Sequence, residues 1–357
     1  MKKFNFFVVL AMLVASQILM GCGEKMPDGD LDEVKMYCDF PKVVSLAEKD
    51  GEKVDIDAMG IMDFKLMDSL LIVSTQDKDG LWKLYSLPNL DSVGNAFKLG
   101  SGPLELAYPM PINQSSFESG GSYGTRILDI PQFDKRQIIS IDLMASLDSA
   151  KLIGREKEMP QVPVFPVLYY SLPDDYSYMM SVDPDELRIK RELFKGNVTT
   201  ESKVLSVLNS NKVDNMEDIG ALTSFPLIQP GGSKVADCQG NRGIINVFDY
   251  LADTGFSLVE CGVETDMESS LERRDKNMSE YGGGNGYKNF FAVIANDYDN
   301  GQLTGQSLLF FDWEGNPLVK VILPMKNVGC FDIDLDNKML YLHNIEEDCI
   351  VRYNFEF

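Results

Sequence analysis

The chain of 357 residues carries a single histidine, His343. That excludes histidine-rich metal sites and leaves any Ser-His-Asp triad one residue to use. No G-x-S-x-G elbow supplies a nucleophile. His343 itself sits in an alternating apolar stretch that reads as a strand, so we read it as structural. Basic residues are also scarce: 33 Lys and Arg stand against 55 Asp and Glu, a net charge of −22. This balance excludes nucleic acid, whose phosphates demand a basic face, and argues against lying flat on anionic lipid. The six cysteines show no C-x-x-C or zinc spacing; apart from Cys22 they read as small apolar fillers with room for one disulfide, rather than as a disulfide framework. Long helical periodicity is nearly absent, which fits α/β folds poorly. Nothing in the sequence calls for a cofactor or a metal.

The start of the chain is the sharpest signal. Lys2 and Lys3 precede an apolar run over residues 4–20, closed by Gly21 and Cys22. A charged start, a short apolar segment and small residues at the cut describe a secretory signal peptide. With its terminal cysteine it resembles a bacterial lipoprotein signal. That resemblance implies that Cys22 carries the lipid and becomes the first residue of the mature protein, attached stably on one side of a membrane. An uncleaved membrane helix is the alternative. The run is shorter than the ~20 residues a span prefers, and acidic residues follow it at once. With Cys22 lipidated, five cysteines remain, so at least one thiol is free.

A recurring unit fills the rest. Strand-like runs begin at Leu81, Ile138, Leu187, Ile244, Leu308 and Cys349, about every fifty residues. Most are preceded by another apolar run and followed by a turn and a further strand. Steps such as Asp299-Asn300-Gly301 supply the positive φ that tight hairpins need. This spacing predicts an all-β, six-bladed β-propeller; a β-sandwich would not produce six units of this length. The last unit holds only three strands before the chain stops. One of the N-terminal pieces, residues 42–46 or 54–61, is therefore expected to complete the last blade. Cys330 and Cys349 would start strands two spacings apart, roughly 9.5 Å, so no bridge is expected between them. The expected organisation is a signal peptide over 1–21, an acidic tether over 22–36 and the propeller over 37–357.

Here the chain resembles the TolB-like six-bladed β-propeller lipoproteins. Besides the signal and the repeat, Gly100, Gly102, Pro103 and Glu105 match a G-x-G-P-x-E stretch that members carry after the first blade. The resemblance implies the fold and little function, because the ligands of that group are mostly unknown. Physically, two glycines and a proline suit a sharp crossover, with Glu105 capping exposed amides.

Candidate chemistry is thin. Asp332, Asp334 and Asp336 alternate with apolar residues, but i and i+2 side chains on a strand lie ~6.7 Å apart, so one cation cannot take all three without a bend. They read as an inter-blade or solvated face. Residues 265–289 break the repeat and read as a long insertion: a short helix followed by the glycine run 282–286. Long loops on a rigid propeller are where binding concentrates. Arg273, Arg274, Tyr281 and Tyr287 are therefore the candidate ligand-binding residues, for a sugar or a peptide. The reading is a lipid-anchored, non-catalytic binding or scaffold module of the outer membrane, on its periplasmic or surface face. Its expected partners are the membrane through Cys22 and a glycan or envelope protein. The alternative is a secreted carbohydrate-active enzyme with paired carboxylates at the channel mouth.

Overall fold

The computed structural model describes residues 29–356, apart from 68, 79, 103, 121–124, 150 and 162–164. The signal segment and Cys22 lie outside the described residues, as does Pro103.

Six sheets, each built on antiparallel strands, form a ring, the six-bladed β-propeller expected from the repeat. Blade 1 runs from strand Ile61–Met67 to Ser92–Ala96, and blade 2 from Ser116–Gly120 to Ile153–Glu158. Blade 3 runs from Phe165–Ser171 to Val198–Thr200, and blade 4 from Phe225–Ile228 to Thr254–Glu260. Blade 5 runs from Tyr281–Gly286 to Pro317–Ile322, and blade 6 from Val328–Asp334 to Cys349–Asn354. The first strands of neighbouring blades stand side by side around a central channel. Sequence patterns follow each strand's place in its blade. Second strands such as Leu70–Thr75 are covered on both faces and read as unbroken buried runs. The outer strand Ile153–Glu158 is largely exposed, and its charged side chains blunt the sheet edge.

The core is divided among the seams. One apolar cluster holds blades 1 and 2 together around Trp82, Phe97 and Ile139, and another holds blades 5 and 6 around Phe310, Phe331 and Leu342. Each such buried side chain contributes ~1.5–3 kcal/mol. Among the described side chains, the seam between blades 2 and 3 is the thinnest, with Ile138, Met159, Tyr169, Met179 and Phe194.

The N-terminal segment goes further than the sequence suggested. Val34–Tyr37 adds a parallel fifth strand outside Thr254–Glu260 of blade 4. Val43–Ser45 does the same outside Pro317–Ile322 of blade 5. Glu52–Lys53 then pairs antiparallel with Cys349–Asn354, supplies the fourth strand of blade 6 and closes the ring. Closure by an N-terminal strand was expected, but neither 42–46 nor 54–61 provides it. The chain must pass the outer edges of blades 4 and 5 to reach blade 6. The result is a strap across three consecutive blades. A disulfide between Cys38 and Cys261, with Cα atoms 4.9 Å apart, fastens the strap to blade 4. Cys238, Cys330 and Cys349 are free.

Residues 29–36, set apart in the sequence as the end of an acidic tether, are part of this strap. Asp30 is buried against blade 4, where Arg242, Gln239, Asn246 and Asn211 all donate to its carboxylate. An acid-rich composition over 22–36 concealed one carboxylate that belongs to the fold.

Candidate functional site

The glycine run 282–286 is not a loop. It is the innermost strand of blade 5, Tyr281–Gly286, and it follows the helix Met267–Asp275 that the sequence did indicate. A Cβ at Gly286 would sit 2.1 Å from the Ile228 carbonyl oxygen, and one at Gly284 would sit 2.5 Å from that of Ala292. Glycine at 286 lets blade 5 close on the innermost strand of blade 4, and glycine at 284 lets it lie close against its own second strand. What looked like a flexible insertion is therefore channel wall.

The four candidates from this insertion are not brought together on an open surface. Arg273 donates to the carbonyls of Asn241 and Glu264, both at 2.6 Å. Arg274 reaches across to the 3₁₀ helix Met216–Leu222, donating to the Asp218 carboxylate at 2.6 Å and the Glu217 carbonyl at 2.8 Å. These contacts clamp the crossover before blade 5 onto the crossover before blade 4. Tyr281 is buried, and its hydroxyl lies 3.0 Å from that of Tyr37 on the strap. Tyr287 is buried and donates to Asp332 at 2.8 Å. Burial, then the neighbouring Asp332 carboxylate, hold its phenol proton firmly on.

Of the G-x-G-P-x-E stretch, Gly100, Gly102 and Glu105 are described, and the carboxylate caps the glycine backbone. Glu105 accepts from the Gly102 amide at 2.7 Å, and a Cβ at Gly100 would fall 2.1 Å from the same carboxylate. Leu104 and Glu105 also border a 520 Å³ groove between the strand Ser92–Ala96 and the helix Leu143–Ser149.

The residues that converge are those of the central channel. A 410 Å³ cavity is lined by Lys65 of blade 1, Asn113 to Ser116 leading into blade 2, Leu168, Tyr170 and Ser171 of blade 3, Ser224 to Ile228 of blade 4, and Gly282 to Gly286 of blade 5. Among the described residues lining it, Lys65 alone is charged and none is Asp or Glu.

Carboxylates stand just behind this lining, each engaged by the protein. Asp63 accepts from the amides of Ile112 at 2.8 Å and Asn113 at 2.9 Å; burial raises its pKa to about 6. Asp129 accepts from the Ser171 hydroxyl at 2.5 Å. Asp237 is wholly buried, paired with Arg191 at 2.6 Å, and accepts from the Ser224 hydroxyl. Asp332 accepts from Tyr287 and from the Leu66 amide at 2.8 Å, with the Lys65 ammonium 3.3 Å away. Lys65 also donates to the Asn285 side chain at 2.6 Å. Asp332 thus ties blade 6 to blades 1 and 5, one of the two roles, inter-blade or solvated, read from its sequence. Asp334 accepts from the Asn337 amide at 2.9 Å and from the Asn337 side chain at 2.7 Å.

Sequence reasoning missed Asp63, Asp129 and Asp237. The signal was present: each is one acid among apolar neighbours in a strand, as in Met62-Asp63-Phe64 and Ala236-Asp237-Cys238. An acid placed so is buried and must find donors. His343 is buried on the strand Met339–Asn344 with neither ring nitrogen hydrogen-bonded, and burial lowers its pKa.

Comparison with known proteins adds a fold. No family profile matches the sequence, and no curated protein does. A solved member of the DUF4221 family from Bacteroides vulgatus is similar at 12% identity and a TM-score of 0.52, covering 87% of this chain and 97% of its own. A putative exported protein from Bacteroides fragilis is similar at 10% identity and a TM-score of 0.47, covering 87% and 99%. At these identities the likeness to the first shows shared architecture alone.

Proposed function

We propose that this chain is an exported lipoprotein of the TolB-like six-bladed propeller group, anchored through Cys22 to the outer membrane, and that it is a non-catalytic binding module whose ligand enters the central channel. The signal segment and Cys22 support the address; the ring supports the module. The observation that carries the binding reading is the channel lining. It offers amides, hydroxyls, two aromatic rings and one ammonium group, with no carboxylate among its described residues. Hydrolysis of a glycoside needs two carboxylates facing the substrate, ~5–10 Å apart. The acids nearest the channel instead hold the blades together through their own hydrogen bonds.

The test has two parts. Membrane fractionation with metabolic fatty-acid labelling reads the anchor: label on the wild type and none on Cys22→Ser is expected, and an unlabelled wild type would remove it. Incubation with envelope polysaccharides reads catalysis: no new reducing ends are expected, and sustained release would replace the binding reading with an enzyme.

A further inference from the structure

We infer that the central channel is a saccharide site, selective for neutral, hydroxyl-rich ligands of one or two sugar rings; this rests on the channel being the binding site. Four features of the lining converge on that class.

Size comes first. At 410 Å³ the cavity lies within the ~300–1,000 Å³ range of small-molecule sites. It is too small for a folded partner.

Charge comes second. Lys65 is the only charged residue among the described lining, and Asp332 neutralises it at 3.3 Å. An anionic ligand would lose its hydration with no free positive charge to meet it, a cost that neutral hydroxyls avoid.

Donors and acceptors come third. The side-chain amides of Asn113 and Gln114 have no hydrogen-bond partner among the described residues. Each amide offers both a donor and an acceptor, which suits a hydroxyl that does both. Their backbone is held from two sides: Asp63 accepts from the Asn113 amide at 2.9 Å, and Tyr170 donates to the Asn113 carbonyl at 2.9 Å. The amides are therefore presented on a fixed turn, which lowers the ordering cost of binding. Ser115, only 4% exposed, lines the same cavity with its hydroxyl unpartnered.

The apolar surface comes fourth. Tyr170 and Phe225, half-buried, share the lining with Leu168, Pro226 and Leu227. A sugar ring has an apolar C–H face and a polar rim, and this wall matches both.

The experiment is calorimetric titration of the full-length protein with glucose, galactose, mannose, N-acetylglucosamine, maltose and lactose, alongside glucuronate and galacturonate. At least one neutral sugar is expected to bind, and its matching uronate at least tenfold more weakly. Asn113→Ala and Gln114→Ala should each weaken binding about tenfold with unchanged thermal melting, and Arg274→Ala, on the crossover clamp, should leave it unchanged. Tighter binding of a uronate would overturn neutrality and leave the channel in place. Binding insensitive to both amide variants, or none to any sugar, would overturn the proposal. Cleavage of maltose or lactose would instead remove the non-catalytic reading on which it rests.

Discussion

Asp30 and Arg242 form a buried ion pair across 212 residues of sequence, with Asn246 and Asn211 also donating to the carboxylate at 2.8 Å. Their side chains are 1% and 8% exposed. This contact is the first anchor of the strap. Burial pushes the Asp30 carboxyl upward, but the Arg242 charge and the converging hydrogen bonds prevail and hold it below the usual range. Removing one partner leaves a buried charge uncompensated. Asp30→Ala should cost about 3–5 kcal/mol, measured by denaturant unfolding. The pair's contribution is full above pH ~4 and is lost as acid protonates the carboxylate. A variant as stable as the wild type would show that the strap begins after residue 30.

The Cys38–Cys261 bridge is the strap's second anchor. Reduction, or Cys38→Ser with Cys261→Ser, should destabilise the protein by ~2–5 kcal/mol. Limited proteolysis of the reduced protein should cut first within residues 29–53. Cleavage elsewhere at the same rate in both redox states would mean that the bridge does not hold the strap.

Asp63 gives a pH signature of opposite sign to Asp30. Its folded pKa of about 6 lies above the ordinary carboxylate value of 3.8, so the folded state binds a proton more tightly. Stability from this group is therefore fully present below pH ~4 and is lost as pH rises through about 6. Against Asp63→Asn, the wild type should lose relative stability over that window by about 3 kcal/mol, taking 1.36 kcal/mol per unit. A flat difference between the two stability–pH curves would contradict the assignment.

The glycine strand offers a paired test. Gly286→Ala would place a methyl group 2.1 Å from backbone at Ile228 and should cost about 1–3 kcal/mol. Gly283→Ala meets nothing closer than 3.9 Å and should stay within about 1 kcal/mol of wild type. Equal melting temperatures would deny the close approach of blades 4 and 5.

The ring was legible in the sequence because the repeat is local. Buried runs such as Leu70–Thr75 and turns such as Asn300-Gly301, both at positive φ, announce their own structure. The channel was not legible, because its lining comes from five blades far apart in sequence, and no local pattern says which face of Asn113 or Tyr170 turns inward. The glycine run misled for a physical reason. Glycine serves a flexible loop and a close approach of backbones equally well, and only the distance from Gly286 to Ile228 separates the two. Tyr281, Tyr287 and the two arginines read as surface because that insertion read as a loop; both tyrosines are buried, Tyr281 in the strand and Tyr287 just after it in the seam of blades 5 and 6.

The central channel is the place where a ligand should sit. A crystal structure of the protein soaked with its tightest neutral sugar should show the sugar in the channel, between the Gln114 amide, the Tyr170 ring and the Asn285 side chain. A sugar bound instead over Arg273 and Arg274, or in the groove beside Glu105, with the channel empty, would contradict it.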